Sequence, residues 1–341
     1  MPLAAPAPSG PASFASPAAP PPPSQPAPTA YVSPVLATTP TSAAAPAPLT
    51  LTDPVQAAAL QDSVAPLLAK LSALAAASVA LPQPVIEAAL KVMATRIDLN
   101  RALPTGAALQ QAVLGAGVLA DAAIAPPTDA KAALLQLRAA LVAVLGGEIV
   151  VPQPALRRPT PPLRGENPRA PHGEAPPLGD DSPHDAARTL LGHTDGALSR
   201  LKLLQLASQP ADPRSSSPAA PAEYRVEIPM LLGAETGILQ MQIQRDGRNK
   251  SKPAERGWRM RFALSFSAIG EVGAEVALLG RSASVAIWAA DPDTADALEA
   301  MLPELAPALA ARGLEVSGIR LRRGPPAAPS RAPGQVLDSA R

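Results

Sequence analysis

The chain has 341 residues and 45 prolines, and alanine dominates its apolar residues. Alanine buries little surface and proline blocks helix interiors and sheet ladders, so the sequence predicts one folded domain of about 100 residues among long unstructured stretches. The net charge of +1 argues against a nucleic-acid binder, and the absence of cysteine excludes disulfides, thiolate metal sites and cysteine nucleophiles.

Residues 1 to 50 hold 15 prolines and no charged residue. Such a segment buries too little apolar surface to offset its conformational entropy, and 1–52 reads as disordered, with polyproline II character at Pro20 to Pro23. The first basic residue is Lys70, so a secretory signal peptide with a basic leader is not expected. The best apolar windows are interrupted by Lys70, Asp121 or Arg138, which predicts no direct membrane insertion.

Residues 53–148 form an alanine-rich helical region. Thr52-Asp53-Pro54 is a helix start, followed by Leu60, Val64, Leu67, Leu68, Leu71 and Leu74 at helical spacing. Pro82 and Pro84 interrupt it, Val85 to Leu99 restarts it, and Gly106 to Ala123 is a weaker third segment. Thr128-Asp129 caps a fourth that ends at Gly146-Gly147. A loose bundle is one outcome; partial helicity of isolated segments is the other. A proline-rich linker, 149–182, leads to a helix over 183–208 with Leu190, Leu191, Leu198, Leu201 and Leu204 on one side. Residues 209–222 are a second linker.

Residues 223–323 carry strand alternation. Tyr224, Val226, Ile228 and Met230 alternate, as do Leu239, Met241 and Ile243. A long basic loop, 246–257, follows the Asp246-Gly247 turn signal. Trp258, Met260, Phe262, Leu264 and Phe266 then alternate with Arg259, Arg261, Ala263 and Ser265, which predicts one buried face. After a turn at Ile269-Gly270-Glu271 come Val272, Ala274, Val276 and Leu278, and then a run from Ala283 to Ala289. Asp291 to Gly313 reads as a helix and Leu314 to Leu321 as a last strand. Five of the seven aromatic residues fall between Tyr224 and Trp288, which marks this stretch as the main core. The expected fold class is α+β: antiparallel strands with one main helix, preceded by a largely disordered Pro/Ala-rich region with short helices. The tail, 324–341, reads as disordered.

No catalytic constellation emerges, and the chain is not expected to be an enzyme or to bind a metal or cofactor. His172, His184 and His193 lack partners at metal spacing. Asp291, Asp293 and Asp296 fit the positive end of a helix dipole better than a cation site. Gly270-x-x-Gly273 joins two strand patterns and reads as a tight turn rather than an RNA clamp. Glu271 and Glu275 share a strand face without a nearby acid–base partner in sequence. Arg320, Arg322 and Arg323 are a local basic excess of the kind that guards a sheet edge.

The C-terminal stretch resembles the C-terminal domain of bacterial flagellar hook-length control proteins. The resemblance rests on the turn Ile269-Gly270-Glu271-Val272, on a helix with Leu298, Leu302-Pro303, Leu305 and Leu309, and on the following Gly313-Leu314. Leu198 to Ser208 is similar to a helix that precedes the domain in some members. The chain departs from the family pattern in having isoleucine before Gly270 and a small Ala274. The resemblance covers roughly 185 to 323 and implies an exported ruler. At ~3.3 Å per residue, about 220 extended residues reach at most ~700 Å. It further implies uncleaved passage from the cytoplasm through the flagellar type III apparatus. The C-terminal domain would contact the cytoplasmic domain of the export-gate membrane protein and switch export from hook to filament subunits. Hook and hook-cap proteins are implied partners during export. The expected contact residues are Ile269, Gly270, Glu271, Val272 and Ala274, because a strand that begins at Val272 with small Gly273 and Ala274 lets another chain approach closely or pair along its edge; a turn that only sets strand register is the alternative. A proline-rich envelope-spanning energy transducer is the alternative, and it requires a membrane anchor.

Overall fold

The alternating runs from Tyr224 onward become a meander. In the computed structural model, which describes residues 52–77, 81–118, 129–146, 159–170, 182–209, 222–245 and 257–324, five strands follow one another antiparallel: β2 (Glu223–Leu232), β3 (Glu235–Arg245), β4 (Gly257–Phe266), β5 (Gly270–Leu279) and β6 (Ser282–Ala289). A parallel strand extends the sheet at each side. β1 (Ile97–Asp98) pairs with β2, and β7 (Glu315–Arg323) pairs with β6 after a crossover through α7 (Pro292–Ala310). The sheet order is therefore β1 to β7 in sequence order, a mixed sheet within an α+β fold. The expectations for the N-terminal 50 residues, for the loop after Asp246 and for the tail lie outside the described residues.

The helices are α1 (Thr52–Leu60), α2 (Val64–Ala76), α3 (Gln83–Met93), α4 (Gly106–Gly115), α5 (Ala130–Val144), α6 (Pro183–Ser208) and α7. The stripe from Leu60 to Leu74 spans two helices rather than one, because Ser63 caps α2 by accepting a hydrogen bond from the Ala65 N–H at 3.2 Å. The segment after Val85 ends as a helix at Met93, and Ile97 and Asp98 leave it to pair with Met230 and Leu231. Leucines of α2, α5 and α6 share one core with Val85 and Val92 of α3. These alanine-rich helices bury their stripes against one another, as helices of modest propensity must to be stable in water.

A second core lies on one face of the sheet. Val226, Ile228 and Met230 of β2, Leu239 and Met241 of β3, and Phe266 of β4 meet Leu201 and Leu204 of α6 and Ala116 and Val118 beyond α4. Helix α6 thus serves both cores: its N-terminal half lies among the helices and its C-terminal half on the sheet. Both cores belong to one compact unit, Leu49–Arg341.

The apolar face of β4 is buried by degrees. Phe266 is 1 % exposed, Phe262 is half-buried and Trp258 is 43 % exposed. On the opposite face Ala263 and Ser265 are fully buried. Alternation identified the face, but depth depends on which stretch of the strand the helices cover.

Candidate docking surface

The β4–β5 turn is fastened to the start of α7. The Ile269 N–H donates to the Phe266 carbonyl at 3.2 Å, and Gly270 adopts φ +67°, the left-handed region that glycine enters without a Cβ penalty. A Cβ at Gly270 would also lie 3.2 Å from that of Asp291. Asp291 caps α7 by accepting from the Thr294 N–H at 2.9 Å. The Thr294 hydroxyl then donates to the Ile269 carbonyl at 2.9 Å, and the Ala290 N–H donates to the Glu271 carbonyl at 2.8 Å. On the other side, the Ser267 N–H donates to both carboxylate oxygens of Glu235 at 3.0 Å, joining this turn to the β2–β3 turn. Asp291 is thus a helix cap, Asp293 lies in the first turn and Asp296 pairs with Arg323.

These bonds determine what the five sequence-derived contact residues present. Ile269, Gly270, Glu271 and Val272 are half-buried at or beside the turn, and Ala274 is 3 % exposed. Strand β5 is interior: Val272 faces Leu264 on β4 and Ala289 on β6. Pairing along an edge at Val272 is therefore corrected by the structure, since both sides of that strand are already occupied. The exposed part of the turn is Ser267 and Ala268. Gly273 serves packing rather than the turn: a Cβ there would lie 2.1 Å from Cζ2 of Trp288, whose indole covers it.

Beside the turn, α7 runs through Pro303 and Pro307 without ending. A kink or split is the outcome usually expected of interior prolines; here both are exposed, away from the sheet. Leu298, Leu302, Leu305 and Leu309 form a half-buried stripe on the helix, which packs on β6 and β7. Met301 of α7 is an exposed apolar side chain, as is Leu279 at the far end of β5 from the turn.

Along β2 and β3 the other face of the sheet is rich in polar residues and yet covered. Glu223, Arg225 and Gln242 are buried. Residues 159–170 bond to this face. The Gly165 N–H donates to both oxygens of Glu223 at 3.2 Å, and the Arg169 N–H donates to Gln240 Oε1 at 3.1 Å. Arg225 donates to the Glu166 carbonyl and, through Nε, to Glu223 at 2.8 Å. Arg200 of α6 holds Glu227 at 2.7 Å, Gln61 at 2.8 Å and the Thr160 carbonyl at 2.6 Å. Burial alone would raise the pKa of Glu223. Hydrogen bonds from Gln242, Gly165 and Gln244 and the charge of Arg225 outweigh it and hold the carboxyl below its ordinary value.

None of the remaining candidates assembles a reaction centre among the described residues. Glu275 lies between Arg259 at 3.5 Å and Arg261 at 2.6 Å, as an ion-pair partner. His193 Nδ1 is 3.8 Å from Asp62. A cavity of about 360 Å³ lies between Thr95, Gln111, Ala116, Ala130 and Pro229. Two charged residues on its wall are engaged elsewhere, Arg96 with Ser72 and Glu227 with Arg200. No described helix is long and apolar enough to cross a membrane, and no described group of three or more His, Asp or Glu is placed to hold a metal.

Residues 246–329 match the family model described as flagellar hook-length control protein FliK. This shows the family resemblance for the stretch that contains β4 through β7. No curated protein and no solved structure matches the chain.

Proposed function

We propose that this chain is a hook-length control protein that acts by protein–protein contact rather than catalysis. The observation that carries the reading is the family match over 246–329, which includes the whole β4–β5 turn and the β6–α7–β7 crossover. In this reading the chain is exported through the flagellar type III apparatus, with its proline-rich N-terminal part serving as the ruler. The C-terminal sheet then meets the cytoplasmic domain of the export-gate protein and ends hook export, while hook and hook-cap proteins are met in passage. The contact centres on the turn Ile269–Ala274, with Ser267 and Ala268 as its exposed crest.

Deletion followed by electron microscopy tests the reading: hooks of uncontrolled length without filaments are expected, and hooks of normal length with filaments overturn it. Ala268→Asp tests the surface without entering the core. Expected is a folded protein, by circular dichroism, whose cells overrun hook length. A folded variant that controls hooks normally moves the contact away from the turn.

A further inference from the structure

We propose that β7 is a docking edge for an extended acidic protein segment, which joins the sheet as its next strand and sets carboxylates against Arg320 and Arg322. Among the described residues β7 pairs only with β6, so the sheet stops there with one row of backbone groups unmatched. In a parallel strand, a residue's N–H and C=O point to the same side, and successive residues alternate. The Gly324 N–H donates inward to the Ala289 carbonyl at 2.8 Å. By alternation, the backbone groups of Ile319, Leu321 and Arg323 point away from β6, available to an added strand.

Charge selects what that strand carries. Register aligns Arg261, Glu275, Ala286 and Arg320 in one row, and Ala263, Gly273, Trp288 and Arg322 in the next. Arg320 and Arg322 therefore stand on the polar face, two residues apart, both exposed. Glu275 is taken by Arg259 and Arg261, so neither Arg320 nor Arg322 has an ion-pair partner among the described residues. Arg323, on the opposite face, is already paired with Asp296. The ground beside the two free arginines is low: Ser284 and Ala286 are exposed and small. An added strand repeats its side chains with period two, as the arginines do, so acidic residues at alternate positions meet both.

The same features disfavour other occupants. The aromatic residue on those rows, Trp288, is buried, which leaves no platform on which nucleic-acid bases could stack. The exposed residues beside the arginines on β6 are alanine and serine rather than the large apolar groups that insert into a lipid surface. The net charge of only +1 makes the patch a local feature rather than a property of a basic chain. The inference does not depend on the flagellar reading.

The test uses the full chain and a labelled synthetic peptide alternating glutamate with valine, with a lysine–valine peptide as control, read by fluorescence anisotropy. Expected is binding of the glutamate peptide alone, weakened about tenfold or more by Arg320→Gln with Arg322→Gln. Leu321→Pro removes an outward N–H and is expected to weaken binding as well. Thermal melts accompany each variant, and the charge variant decides if the proline variant does not fold. The proposal is overturned if the glutamate peptide fails to bind at millimolar concentration, as a purely protective basic edge predicts, or if the lysine peptide binds equally. Binding unchanged in the double variant overturns it too. So does stronger binding of oligothymidylate or of phosphatidylserine vesicles than of the peptide, or self-association of the chain that blocks the peptide.

Discussion

At the scale of single residues, burial and chemistry separate positions that look equivalent in sequence. Trp258 and Phe266 begin and end the same alternating run, but only Phe266 is sealed. Phe266→Ala should cost about 3–5 kcal/mol in urea melts, the range for truncating a buried aromatic. Trp258→Ala should cost much less, because Trp258 is partly exposed and stacks under Arg245 at 5.3 Å. Gly273→Val should be as damaging as a core truncation, since its Cβ would lie 2.1 Å from Cζ2 of the buried Trp288 and 2.8 Å from the Phe262 carbonyl oxygen. Its signature would be a red-shifted tryptophan emission along with the lost stability. Glu223 carries a pH signature. Its folded pKa lies below its unfolded value, so its contribution is fully present above the ordinary carboxylate range and is lost as pH falls through that range and below. Glu223→Gln should therefore flatten the acid limb of a stability–pH profile while lowering stability at pH 7. An unchanged acid limb would show that the carboxylate is not what holds residues 159–170 to the sheet.

At the scale of elements, the legible parts were those with periodicity. The alternation in β2 through β6 and the leucine stripes of α2, α5, α6 and α7 follow directly from a period of two or of 3.6. Helix α6 was readable from its leucine spacing, and the structure adds its cap, the Ser182 hydroxyl that accepts from the Asp185 N–H at 3.1 Å. Strand β1 was not readable, since two residues cannot display alternation and Ile97 lies at helical spacing from Ile86 and Met93. The covering of the polar face by residues 159–170 was hidden for another reason. It is made by backbone N–H and carbonyl groups with buried glutamate, arginine and glutamine, which leave no apolar rhythm. The turn at Gly270 was legible as a turn. That β5 is interior was not, because alternation shows which face of a strand is buried but not that both β4 and β6 pair with it.

At the scale of the whole molecule, the division of labour between sheet and helices sets where an independently folding piece should begin. The sequence places the C-terminal domain at 223–323, where the aromatics and alternating strands lie. The apolar face of that sheet is sealed by Leu201 and Leu204 of α6 and by Ala116 and Val118, all upstream of Glu223. Helix α6 in turn buries Leu190 and Leu191 among α2, α3 and α5. A fragment starting at Glu223 would expose Val226, Ile228, Met230 and Leu239, which are buried in the intact chain. Each such aliphatic side chain gives up roughly 1.5–3 kcal/mol when returned to water. Together these losses rival the total stability of an average domain, about 5–15 kcal/mol. A fragment of residues 223–324 should therefore bind a hydrophobic dye and melt with little cooperativity. A fragment of residues 52–324 should melt in one sharp transition, and limited proteolysis of the full chain should leave a core reaching upstream of α6. A sharp, dye-free transition from 223–324 alone would show that the sheet closes without the helices, and the folding unit would then begin at Glu223.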